Sequence, residues 1–243
     1  MTVAQKTAPR RRRPPAGQHR RATAGEADNC VRERILLKTR EKFATLGFAK
    51  TSMDEIAGEV GMSKKTLYKF FPAKAALAEA WLEHLFAEMN RRCDAILADA
   101  LPAVEKLALL VQMLAEHQQR FVTRTTLESL HHHLPHLWRR VEAFRSQRMR
   151  RNLQAVIDQG IKEGTVHKSF NHEMFFHFLL GAIQEGINPE VLIHASYSVS
   201  EALLGLVGIF MNGVLTDSGR RQYQKLMAAT RLGLLAGNDA RVG

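Results

Sequence analysis

The chain has 243 residues, 45% of them hydrophobic, with 35 Lys/Arg against 24 Asp/Glu and a net charge of +11. That length allows a sizeable core, and the excess of positive charge points to an anionic partner. Only two cysteines, Cys30 and Cys93, are present, which excludes a disulfide framework and fits a reducing cytoplasm.

The charge is unevenly spread. Residues 1–25 carry +7, residues 26–78 carry +3 and residues 79–243 carry +1. The first stretch, MTVAQKTAPRRRRPPAGQHRRATAG, is rich in Arg, Pro, Ala and Gly and has no apolar periodicity. Residues 1–26 are therefore expected to form a disordered basic arm, with no apolar stretch of secretory-signal length. The run Arg10–Arg13 is placed to follow phosphates or enter a minor groove.

A first helix is expected over 28–46, with Val31, Ile35, Phe43 and Leu46 on its buried side. The segment TSMDEIAGEVGMSKKTLYKFFPAK at 51–74 then reads as helix, glycine turn, helix. Met53, Ile56, Ala57 and Val60 recur at spacings of three and four and share a face. Gly61 suits a left-handed turn, and Ser63 suits the N-cap of the second helix. With Lys64 taken as zero, Tyr68 lies at about 40°, Lys65 at about 100° and Lys69 at about 140°. Leu67, Phe70 and Phe71 fall between about 240° and 340°. A dry back and a cationic, hydrogen-bonding front suit the major groove of DNA, where lysine meets guanine acceptors or phosphates.

The remainder is expected to be helical. Spans run over 73–100 (with Leu77, Trp81, Leu85, Met89 and Ile96), 104–123, a short piece ending at His133, 136–164, 171–186, 200–215 and 219–235. No period-two run or hairpin turn is present. The fold class is all-α: a three-helix, helix-turn-helix unit at 27–74, a larger helical body at 75–237 and a flexible tail at 238–243. The late helices at about 171–186 and 200–215 are too apolar for a monomer's surface. Small residues at 205, 208 and 213 suit a four-helix homodimer interface. The run ALLGLVGIFMNGVL is too short to span a membrane.

The residues Ile35-Leu36, Phe43, Gly47-Phe48, TSMDEIA at 51–57, GMSKKTLYKFFPAK at 61–74 and Leu77 resemble the DNA-binding domain of TetR-family bacterial transcriptional regulators. The resemblance spans 35–77 without insertion. Lys65 stands where the family often has glycine, and Phe70 where histidine or tyrosine is common. The resemblance implies DNA contact by Thr51, Ser63, Lys64, Lys65, Thr66, Tyr68, Lys69 and Lys74. Within that set, Thr51 and Lys74 meet phosphates and Tyr68 packs on the DNA backbone. It assigns Leu67 and Phe71 to the core. It further implies a dimeric repressor on a palindromic operator of double-stranded DNA, released by a small-molecule effector bound in the larger domain. The protein would work in the cytoplasm, at the nucleoid, with no cofactor.

Met113, Phe121, Phe144 and Phe178 read first as plain core and second as candidate effector-pocket liners. His131, His132, His133 and His136 cluster around Pro135 but lack ligand spacing, and His172 and His177 are one residue off the HExxH pattern, so no metal is expected. The arginines at 139, 140, 145, 148, 150 and 151 read as a solvated face. No GxSxG, phosphate-binding glycine loop or paired cysteine supports an enzyme. The alternative is a non-specific, architectural DNA binder.

Overall fold

The computed structural model describes residues 24–121, 124–186 and 188–239. Eleven helices and no strand are found among them. The N-terminal unit consists of α1 (Ala24–Lys50), α2 (Met53–Val60) and α3 (Lys64–Phe70), and α4 (Lys74–Ala98) leads out of it. The body adds α5 (Ala103–Phe121), α6 (Arg124–His133), α7 (Pro135–Glu163), α8 (His172–Gly186), α9 (Pro189–His194), α10 (Val199–Val214) and α11 (Asp217–Asp239). An isolated antiparallel bridge joins Val166 to Leu215.

The expected spans shift at their ends. Residues 24–26, assigned above to the arm, begin α1, and residues 238–239, assigned to the tail, end α11. The Arg10–Arg13 run lies outside the described residues. The first helical stretch of α1 ends at Leu46 as expected, because Gly47 adopts φ 77° and ψ 167°, which breaks the helix and re-aims the turn that follows to Lys50. That region is open almost only to glycine. Helix α9 is an addition to the expected set. Its six residues are too few for a periodic signal, although Asn188 caps it by accepting from the Glu190 N–H at 3.0 Å, and Pro189 opens it.

The core runs continuously from the N-terminal unit into the body. Ile35, Phe43, Ile56, Leu67, Phe71 and Leu77 are buried in the first, and Leu107, Leu137, Ile157, Phe176 and Leu179 in the second. Three arginines of the α7 run, Arg140, Arg148 and Arg151, clamp α4, while Arg139 and Arg150 are exposed as expected. Arg140 pairs with Glu83 at 3.1 Å, and Arg148 donates to the Asn90 carbonyl and to Asp94, both at 2.8 Å. Arg151 also pairs with Asp94, and the Arg148 hydrogen bond holds that carboxyl below its ordinary range. Sequence periodicity misses this because two adjacent long helices share a partly polar seam.

Gly219, in the first turn of α11, lies against the backbone after α7. A Cβ there would meet the Thr165 carbonyl oxygen at 2.1 Å. Gly58 in α2 has open space around it. Gly219→Ala should therefore cost about 1–3 kcal/mol, whereas Gly58→Ala should gain about 0.5–1 kcal/mol. Thermal melts followed by circular dichroism read both, as a lowered and a slightly raised Tm.

Candidate DNA interface

The two helices of the turn are capped by their own sequence. The Ser52 hydroxyl accepts from the Glu55 N–H at 3.1 Å, and Glu55 returns the bond by accepting from the Ser52 N–H at 2.7 Å. Gly61 ends α2 in the left-handed conformation, its N–H donating to the Ala57 and Gly58 carbonyls. The Ser63 hydroxyl accepts from the Thr66 N–H at 3.1 Å and starts α3. Met53, Ile56, Ala57 and Val60 all face inward, and Leu67 and Phe71 seal the back of α3.

The opposite face of α3 is exposed. Lys64, Lys65, Tyr68 and Lys69 point outward, with Ser63 exposed and Thr66 half-buried beside them. Lys64 is tied to Asp54 of α2 at 2.9 Å, and that hydrogen bond raises its pKa. Lys65 and Lys69 are in no ion pair among the described residues, so their charges face solvent.

Two of the expected contact residues also bond within the chain. Thr51 is 1% exposed, and its hydroxyl donates to the Gly47 carbonyl at 2.8 Å. Its side chain locks the turn and is engaged by the chain's own backbone. The Lys74 ammonium donates to the Ala49 carbonyl at 3.2 Å and lies 4.3 Å from the centre of the Phe48 ring. Burial pushes its pKa down, against the charge of Glu55. A lysine opening a helix opposes the helix dipole. Here it is compensated by the carbonyl end of α1, so no external phosphate is needed to explain it.

Residues 35–81 match the family model for bacterial regulatory proteins of the TetR family. An HTH-type transcriptional regulator of Bacillus subtilis, YvaF, is 26% identical over 186 residues, covering 76% of this chain and 96% of the relative. The nucleoid occlusion factor SlmA of Vibrio atlanticus is 25% identical over 191 residues, covering 73% and 92%. Among solved structures, a transcriptional regulator from Cytophaga hutchinsonii superposes with a TM-score of 0.62 at 23% identity, over 76% of this chain and 98% of that one. Residues 35–81 thus form a TetR-family DNA-binding domain. The chain is a DNA-binding transcriptional regulator of TetR type.

In this TetR-type regulator the expected body sites resolve unevenly. Met113 is core, and Phe144 is stacked on Phe86 at 3.9 Å. The Phe121 side chain lies outside the described residues. Phe178 is 57% exposed and lines an apolar groove on the outer face of α8 and α10, with Ala182 and Phe210. It is therefore no wall of an interior pocket. Met174 at 53% and Ile209 at 71% are exposed on the same two helices. Of the histidines, His136 contacts Glu79 at 3.3 Å, His131 lies edge-on to Trp138, and His132 and His133 are exposed. No group of three His, Cys, Asp or Glu able to hold a metal is found among the described residues. No helix among them is long and apolar enough to cross a membrane.

The capping bonds from Ser52 hold the Glu55 carboxyl below its ordinary value of 4.5. A carboxyl depressed on folding contributes stability above its unfolded value and loses it as pH falls through the depressed one. The melting temperature should thus decline as pH drops below 4.5. Glu55→Gln, which keeps a capping box, should flatten that decline in melts taken across the acid range.

Proposed function

We propose that the protein is a dimeric repressor that binds a palindromic operator through Ser63, Lys64, Lys65, Thr66, Tyr68 and Lys69 of the α3 segment. The observation that carries this reading is the division of α3, with Leu67 buried and Lys65, Tyr68 and Lys69 outward and unburdened by ion pairs. Lys74 and Thr51 fasten the last turn of α1, and the Lys74 charge adds to the local positive field. The arm 1–23, with its arginines, adds sequence-independent attraction to phosphate.

The dimer is supported by the exposed apolar face of α8 and α10. Phe178 and Ile209 are large, apolar and solvent-facing, and Gly181, Gly205 and Gly213 beside them leave open space for a second backbone. A two-fold pairing presents two copies of α3 about 34 Å apart, one per successive major groove. A small molecule held in the body and altering that separation would release the operator, because both half-sites must be met together. A ligand-bound neighbour is in keeping with this. FadR from Bacillus subtilis, solved with stearoyl-CoA, superposes with a TM-score of 0.52 at 19% identity.

Fluorescence anisotropy with DNA from upstream of the protein's own coding region, against a scrambled duplex at about 150 mM salt, tests the reading. A preference of roughly hundredfold or more supports a specific regulator. Equal affinity for both duplexes favours the architectural alternative. Lys65→Ala and Lys69→Ala should each weaken binding and lower the slope of log affinity against log salt by about one. Ile209→Glu should convert the dimer to monomers in sedimentation velocity and weaken operator binding by roughly a hundredfold. An unchanged sedimentation coefficient would move the dimer interface elsewhere.

A further inference from the structure

Between α6, α7, α8 and the start of α9 the body holds a cavity of about 440 Å³. Its wall brings together His131 of α6, Trp138 and Glu142 of α7, Gln184 and Glu185 of α8, and Asn188, the cap of α9. Trp138 and Glu142 are four residues apart and so share a face of α7. Trp138 is buried, Glu142 half-buried and Glu185 exposed at the rim.

The charge in this wall is unbalanced. Neither carboxylate is in an ion pair among the described residues. Arg145 stands one turn on from Glu142 along α7. Burial pushes that guanidinium's pKa down against the charge of Glu142, and the two form no ion pair. The other polar groups also lack company. His131 Nδ1 is buried without a partner, and its ring meets Trp138 edge-on at 5.7 Å. The Asn188 carbonyl is occupied in capping α9 at 3.0 Å, which leaves its amide N–H groups and the Gln184 amide facing the cavity region.

We propose that this cavity binds a small organic cation carrying N–H donors, of the amidinium or alkylammonium class. Each carboxylate accepts charge-assisted hydrogen bonds from such a ligand. The buried Trp138 ring forms part of the wall beside the carboxylates. An anion meets two carboxylates, and a neutral ligand of the same shape gains no charge-charge attraction from either.

A regulatory consequence rests on the effector reading above. The binding itself does not. His131 lies two residues from Ser129, whose hydroxyl accepts from the Ala49 N–H of α1 at 3.2 Å. A ligand against His131 therefore presses on the helix that touches the DNA-binding unit.

The test uses the full-length protein and three probes of one shape: benzamidine, benzamide and benzoate. Quenching of tryptophan fluorescence reads binding, with Trp81 and Trp138 the only two tryptophans of the chain. Benzamidine should quench saturably, benzamide should bind at least about tenfold more weakly, and benzoate more weakly still. Glu142→Gln and Glu185→Gln should each weaken benzamidine about tenfold, at a circular-dichroism melting temperature close to that of the parent. The proposal is overturned by no saturable benzamidine binding up to about 10 mM, or by equal affinities for benzamidine and benzamide. Because that comparison uses unaltered protein, it holds even where a variant fails to fold. In a second arm, saturating benzamidine is added to the operator complex. Release supports the regulatory consequence, and retention of DNA with benzamidine bound overturns that consequence while the site stands.

Discussion

The backbone turn at Gly47 is the constraint on which the DNA-facing half of the molecule depends. Its φ of 77° and ψ of 167° turn the chain within α1, a conformation that a residue with a Cβ adopts only at a cost. The turn brings Phe48 back against Phe43, at 5.7 Å between ring centres, and Phe43 in turn meets Trp81 of α4 edge-on at 5.6 Å. The Thr51 hydroxyl ties down the Gly47 carbonyl, and Lys74 closes over Phe48 and the Ala49 carbonyl. These contacts together fix how α2 and α3 sit on α1 and where α4 departs. The orientation of the recognition surface is set by groups that themselves face inward.

From this corner the structure continues into the body through two seams. The first is α6 against α1, where Ser129 accepts from the Ala49 N–H just beyond the Gly47 turn. The second is α4 against α7, held by Arg140, Arg148 and Arg151 on Glu83 and Asp94, and by the Phe86–Phe144 stack. Arg148 is buried, and a buried guanidinium is tolerated because a carbonyl and a carboxylate both meet it. The DNA-binding unit is thus joined to the body by α6 packed on α1 and by α4, which α7 clamps in place.

Much of the fold is legible in local residue patterns. Ser63 as N-cap, Gly61 as left-handed turn, the buried set Met53, Ile56, Ala57 and Val60, and the inward Leu67 and Phe71 all follow from spacing and residue type, because short-range backbone hydrogen bonding decides them. The outward face of α3 follows for the same reason. Helix α9 escapes such a reading because its six residues carry no period. The α7 arginines mislead it because a helix wheel shows which residues share a face but not whether another helix covers it. Phe178 misleads as a pocket liner on the same ground: aromatic character says that a side chain seeks apolar company, not which neighbour supplies it.

The all-helical class, the helix-turn-helix at 51–74, the division of α3 into apolar and cationic faces and the TetR-family resemblance are all carried by the sequence. Each of these rests on relations between residues a few positions apart. Tertiary packing, in contrast, binds Thr51 and Lys74 to the chain's own carbonyls and turns Arg140, Arg148 and Arg151 into a clamp. It leaves Phe178 and Ile209 facing outward and brings Glu142 and Glu185 to one cavity from two helices. All of these depend on residues brought together across helix boundaries. Pairings over that separation are set by how whole helices pack, which no local pattern of residues encodes.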